Sequence, residues 1–95
     1  MQVVQSDVFT AWLDNVKDDR AAARIVTRVR RMEIGNAGDV RPVGEGVSEI
    51  RIDYGPGYRV YFTRRGRTLV ILLCGGDKKS QSKDIALAKR MAKEA

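Results

Sequence analysis

Ninety-five residues suffice for one hydrophobic core and are too few for two, so a single domain spanning 1–95 is expected. At 43% hydrophobic and 32% charged, the composition is that of an ordinary globular protein; it argues against a disordered chain, and no apolar run approaches the length that spans a bilayer. A net charge of +6 makes polyanions the default partners, nucleic acid before a membrane surface, while the absence of histidine removes imidazole-based nucleophile activation and most zinc sites.

Gln2 to Gln5 read as a short strand. The first residues show no basic stretch leading into an apolar one, so no secretory leader is expected and the protein reads as cytosolic. Ser6 or Asp7 suits the cap of a helix whose Phe9, Trp12, Leu13 and Val16 follow the i, i+3, i+4, i+7 spacing of a buried face. Lys17-Asp18-Asp19 makes a tight connection, its aspartates placed for the start of a second helix. Ala22, Ile25, Val29 and Met32 give that helix its apolar stripe, and Gly35-Asn36 ends it. The same helix carries Arg20, Arg24, Arg28, Arg30 and Arg31, which suit a nucleic-acid or ribosomal footprint, an acidic partner segment, or simply a solvated face.

Residues 37 to 46 hold turn-forming glycines and Pro42, as a loop or a short irregular strand would. Beyond them a strand through Glu49-Ile50-Arg51-Ile52 leads to a turn at Tyr54-Gly55-Pro56-Gly57, then to a second strand through Tyr58 to Thr63. Alternation puts Ile50 and Ile52 on one face and Glu49 and Arg51 on the other. In the second strand Tyr58, Val60 and Phe62 share a face and Arg59, Tyr61 and Thr63 the opposite one; both carry aromatics, so which is buried stays open. If the apolar faces pack on helices, Glu49, Arg51, Arg59 and Tyr61 meet on an exposed face. After the turn at Arg64-Arg65-Gly66-Arg67 comes a strand from Thr68 to Cys74, apolar on both faces as in a central strand, with Cys74 as a small buried thiol. Ser82 or Asp84 opens a last helix with Ile85, Leu87, Ala88, Met91 and Ala92 as its apolar positions. Strand, two helices, three antiparallel strands and a helix make a two-layer α+β domain.

Chemistry concentrates in the second half. Gly55-Pro56-Gly57 is first a turn, because no helix starts after it and the phosphate-loop lysine is absent. Gly75-Gly76-Asp77-Lys78-Lys79 is more suggestive: paired glycines allow close backbone approach to a ligand and the lysines supply charge, although a plain loop would read the same. Arg51, Arg59 and Lys78 converging from adjacent segments would grip a phosphate and stabilise its extra transition-state charge. Glu49, ionised, would draw a proton from a ribose 2′-hydroxyl or simply pair with an arginine across strands; Tyr61 would donate a hydrogen bond or stack on a base.

Taken together, the Phe9-x-x-Trp12-Leu13 helix, Gly35-Asn36-x-Gly38-Asp39, Pro42-Val43-Gly44-x-Gly46-Val47, Glu49-Ile50-Arg51-Ile52, Gly57-Tyr58-Arg59-Val60-Tyr61-Phe62 and Gly75-Gly76-Asp77-Lys78-x-x-Gln81 resemble the RelE/ParE superfamily of bacterial type II toxins. The resemblance is strongest to its HigB-like group, the addiction module killer proteins. It implies a RelE-like, microbial RNase-like α+β fold, with an antiparallel sheet packed on two N-terminal helices plus a C-terminal helix. It further implies a ribosome-dependent endoribonuclease that cuts mRNA and needs no cofactor or metal, a helix-turn-helix antitoxin of the HigA type, and operator DNA bound through the antitoxin complex. Arg59 stands where such toxins have an arginine on the scissile phosphate, Arg51 at a basic strand position and Lys78 at a basic position after the last strand. Lys79 and Gln81 would join Arg51, Arg59 and Lys78 in holding RNA. Glu49 replaces a lysine, the C-terminal tyrosine is missing because the chain reads Asp84-Ile85-Ala86, and no histidine stands in for it. The other functions the resemblance implies are a ParE-like inhibitor of DNA gyrase without nuclease activity, or an inactive antitoxin-binding corepressor.

Overall fold

The computed structural model describes residues 1–95. Its elements are β1 (Gln2–Gln5), α1 (Asp7–Asp14), α2 (Asp19–Glu33), β2 (Val40–Gly44), β3 (Val47–Ile52), β4 (Tyr58–Arg65), β5 (Leu69–Gly76) and α3 (Gln81–Glu94). No helix is long and apolar enough to cross a membrane.

Local chemistry sets the helix starts. Ser6 caps α1, its hydroxyl oxygen accepting the Phe9 N–H at 3.0 Å, and the Asp18 carboxylate accepts the Arg20 and Ala21 N–H groups at the head of α2. Gly35, at φ +82°, follows α2 in the left-handed region that a side chain resists. The fully buried stripe of α2 is Ala21, Ile25, Val29 and Met32, so the i, i+4 row runs through Ala21 in place of Ala22. In α1 only Phe9 is fully buried; Trp12 and Leu13 are half-buried against the core, and so is Val16, which lies past the end of the helix at Asp14 and not within it as expected.

All five strands form one sheet in the order β1-β5-β4-β3-β2. β2 to β5 are antiparallel neighbours, as expected, and the segment with Pro42 is the edge strand β2. β1 departs from a purely antiparallel sheet: it runs parallel to β5, Gln2 opposite Leu69, with everything between them serving as the crossover.

Two apolar clusters lie on opposite faces of this sheet. Phe9 of α1 and Ile25, Val29 and Met32 of α2 cover Ile50, Ile52, Val60, Phe62, Val70 and Leu72. Ala88 and Ala92 of α3 cover Val47, Tyr61, Leu73 and Cys74 on the other side. Helices therefore flank the sheet on both faces, and the expected two layers are three. Both faces of β4 are buried, which explains why each carries an aromatic residue. The face expected to be exposed lies beneath α3: Glu49, Arg59 and Tyr61 are 4%, 5% and 0% exposed.

An irregularity in β5 decides which residues look at which helix. Tyr61 pairs with Cys74 and Phe62 with Leu72, leaving Leu73 as the extra residue of a bulge. Leu73 and Cys74 consequently both pack on the α3 side, and the Leu73 carbonyl accepts the Ser6 hydroxyl at 2.6 Å. Past the bulge Gly75 faces α1, where a Cβ would overlap the Trp12 indole, and Gly76 faces α3, where a Cβ would overlap the Asp84 carboxylate. The paired glycines thus make room for two neighbouring side chains, and not for a ligand.

Candidate functional site

The antiparallel register sets Arg51 opposite Arg59, and Arg59 beside Gly76 at the end of β5. Beyond Gly76 the chain enters a short connection braced by reciprocal bonds: the Asp77 N–H donates to the Ser80 hydroxyl oxygen at 3.2 Å, and the Ser80 N–H donates to the Asp77 carboxylate at 3.1 Å. The Ser80 hydroxyl in turn donates to Asp84 of α3. Lys78 sits inside this brace, and its N–H reaches the Pro56 carbonyl at 3.4 Å, tying the connection to the turn between β3 and β4. That turn closes through Gly57 at φ +79°, whose N–H donates to the Tyr54 carbonyl.

The result is an open groove of about 420 Å³ that Arg51, Arg59 and Lys78 share with Asp39, Asp53 and Tyr58. Arg51 is half-buried and Lys78 exposed. Arg59 is buried but reaches the groove, and its direction is fixed: Nη1 donates to the Gly57 carbonyl at 3.0 Å and Nε lies 3.7 Å from Glu49 Oε2. Nε itself has no hydrogen-bond partner.

Glu49 and Tyr61 do not line the groove. Glu49 is held behind Arg59, accepting the Gln81 side-chain amide at 3.2 Å, so it acts as the guanidinium's buried counter-charge. The Tyr61 hydroxyl is buried without a partner; burial first, then the nearby Glu49 charge, drive its pKa far above the usual phenol range. Both sit where α3 covers the sheet, which is why the proton-transfer roles expected of them on an exposed face do not fit the geometry. Gln81 is spent on Glu49, whereas Lys79 is exposed next to Lys78.

Three groove residues lay outside the sequence expectation. Asp39 precedes β2, and its carbonyl accepts the Arg51 N–H at 3.1 Å. Asp53 follows β3 directly, so strand alternation carried one residue past Ile52 would have pointed to it. Tyr58 was placed with Val60 on the core face; it is half-buried and meets Trp12 edge-on at 6.3 Å between ring centres, leaving the rest of its ring on the groove. Three cations around a groove with two carboxylates can hold a phosphodiester and accept a proton beside it.

The chain matches the family described as phage derived protein Gp49-like over residues 11–93. An uncharacterized protein of Haemophilus influenzae strain Rd is 48% identical over 94 residues, a stretch that covers 99% of this chain and 95% of the relative.

Proposed function

The chain belongs to the Gp49-like family of phage-derived proteins, a family of the toxin–antitoxin type, and from that premise we propose that it is a toxin that cleaves mRNA on the ribosome. The observation that carries this reading is the convergence of Arg51, Arg59 and Lys78, from two strands and a braced connection, on one open groove. In the reaction a ribose 2′-oxygen attacks the adjacent phosphorus and the bond to the 5′-oxygen breaks, giving a 2′,3′-cyclic phosphate and a 5′-hydroxyl. Asp39 or Asp53 takes the 2′-hydroxyl proton and Lys78 gives one to the leaving oxygen. Arg59 and Lys78 hold the charge that builds on the phosphate, an effect worth about 3–4 kcal/mol per well-placed donor. Arg51 positions the substrate, and Tyr58 offers a ring for a base to stack on. The ribosome supplies the in-line geometry that the groove alone does not impose. A helix-turn-helix antitoxin of the HigA type would neutralise the toxin in the cytoplasm, and the complex would bind operator DNA.

One observation favours a second reading. Burial of Glu49 and Tyr61 removes two proton-transfer groups from the groove, which suits a gyrase inhibitor that performs no chemistry.

Primer extension on a defined mRNA in a purified translation system, with wild type and Lys78→Gln, with and without ribosomes, tests the proposal. New ribosome-dependent 5′ ends are expected with wild type and their loss with Lys78→Gln. Intact mRNA, with supercoiling by purified gyrase inhibited, would replace this reading with the second.

A further inference from the structure

A second groove, of about 380 Å³, adjoins the first and shares Ile52 and Asp53 with it. Its far wall is one face of α2, where Arg24, Thr27, Arg28 and Arg31 recur at i, i+3, i+4 and i+7. The three arginines play different parts. Arg28 is a brace: Nε and Nη2 donate to the Ala37 carbonyl at 3.2 and 3.0 Å, and Nη1 donates to the Arg51 carbonyl at 2.9 Å. Arg24 lies over the Tyr54 ring, 4.6 Å from its centre, which holds one face of the guanidinium and leaves the other open. Arg31 is exposed.

Three ion pairs form in the molecule, and none uses Arg24, Arg28 or Arg31. Burial first, and then the Arg31 charge, lower the Arg28 pKa while Asp39 offsets part of the effect, and Asp53 is the one carboxylate on this groove against three arginines. A phosphate here would relieve that repulsion.

We propose that this second groove is a binding site for the phosphates of single-stranded RNA flanking the cleaved bond, with Arg24 and Arg31 as its contact residues and Arg28 as their fixed support. The proposal rests on the ribonuclease reading, because the strand enters through the groove of Arg51, Arg59 and Lys78 and continues past Asp53. RNA fits better than an acidic protein segment for two reasons: the two grooves adjoin at Ile52 and Asp53, and the open face of the Arg24 guanidinium, stacked on Tyr54, is a platform for a base.

Fluorescence anisotropy with labelled, 2′-O-methylated RNA separates the outcomes without requiring cleavage. The probes are a trinucleotide, which fits the first groove alone, and an oligonucleotide of about ten nucleotides, which reaches both. The variants are Arg24→Gln/Arg31→Gln and, as a control of equal charge loss, Arg30→Gln/Arg67→Gln, whose side chains are outside both grooves. The first variant is expected to weaken the longer RNA about 10- to 100-fold and leave the trinucleotide unchanged. Its log–log salt slope should fall by about 1.4, about 0.7 for each lost phosphate contact. Equal losses in the control variant would overturn the site, since charge alone would then explain them. So would displacement of the longer RNA by polyglutamate with the same sensitivity to Arg24 and Arg31, which would hand the groove to an acidic protein. Wild type binding both RNAs, with the Arg24→Gln/Arg31→Gln protein binding them equally well, would sink this inference and leave the ribonuclease reading standing. No binding of the longer RNA by wild type would overturn this inference, while ribosome-dependent primer extension decides the ribonuclease reading separately.

Discussion

Removing the Arg59 guanidinium would leave Glu49 charged, 4% exposed and answered only by the Gln81 amide. Arg59→Ala is therefore predicted to cost about 3–5 kcal/mol of stability, the usual consequence of breaking a buried pair from one side, and a urea midpoint would register it. Adding Glu49→Gln should recover much of that loss; if it does not, the pair is not what holds Arg59. The expectation of an exposed Arg59 fails for a physical reason. Alternation along a strand says which residues share a face but not what covers it, and the cover here is α3, which starts five residues after the end of β5. The parts of the groove that were legible, Arg51 opposite Arg59 with Lys78 close by, follow from the hairpin turn and the strand order alone. Asp39 was not, because its place depends on Arg28 drawing the Ala37 carbonyl and the Arg51 carbonyl toward one guanidinium.

Among the elements, α3 meets the sheet through small side chains. Its fully buried positions are Asp84, Ala88 and Ala92, which bring it close to the sheet, with Ile85, Leu87 and Met91 partly buried around them. Arg65 holds the far end, donating to the Ala92 and Ala95 carbonyls that the end of the helix leaves without partners. Arg65→Ala should cost about 1–2 kcal/mol and speed amide exchange in the last turn of α3, while protection in β4 and β5 stays as it was. Uniform loss of protection would show that the helix is held elsewhere. The starts of α1 and α2 were readable because periodicity and capping are local, whereas α3 begins at Gln81, behind Ser80, and not at the expected Ser82 or Asp84. The bulge in β5 was not readable: it arises from the pairing of two strands, and a count of alternation from Val70 puts Gly76 on the wrong face. That single extra residue turned a ligand-approach motif into a packing one.

At the scale of the whole molecule, the acids buried under α3 make the fold sensitive to alkali. Burial pushes the Cys74 thiol from 9.0 up to about 12, and Tyr61 is raised as well. A group whose folded pKa is raised contributes stability that is complete below its unfolded pKa and is lost as pH climbs toward the folded one. Urea midpoints should thus hold steady to about pH 8–9 and then fall, with Cys74→Ala flattening the early part of the decline. A flat profile for wild type up to about pH 11 would contradict the burial of both groups.

The parallel pairing of β1 with β5 has a consequence for the order of assembly. Gln2 to Gln5 lie opposite Leu69 to Leu72, so the first strand made must wait for the last before the sheet closes. Contacts so distant along the chain slow folding, and they cannot form on an incomplete chain. Lys78 and the serine that braces it arrive later still. A nascent chain stalled before them has half a groove and no pinned lysine, so whatever this surface does to its target begins only after synthesis has passed the final strand.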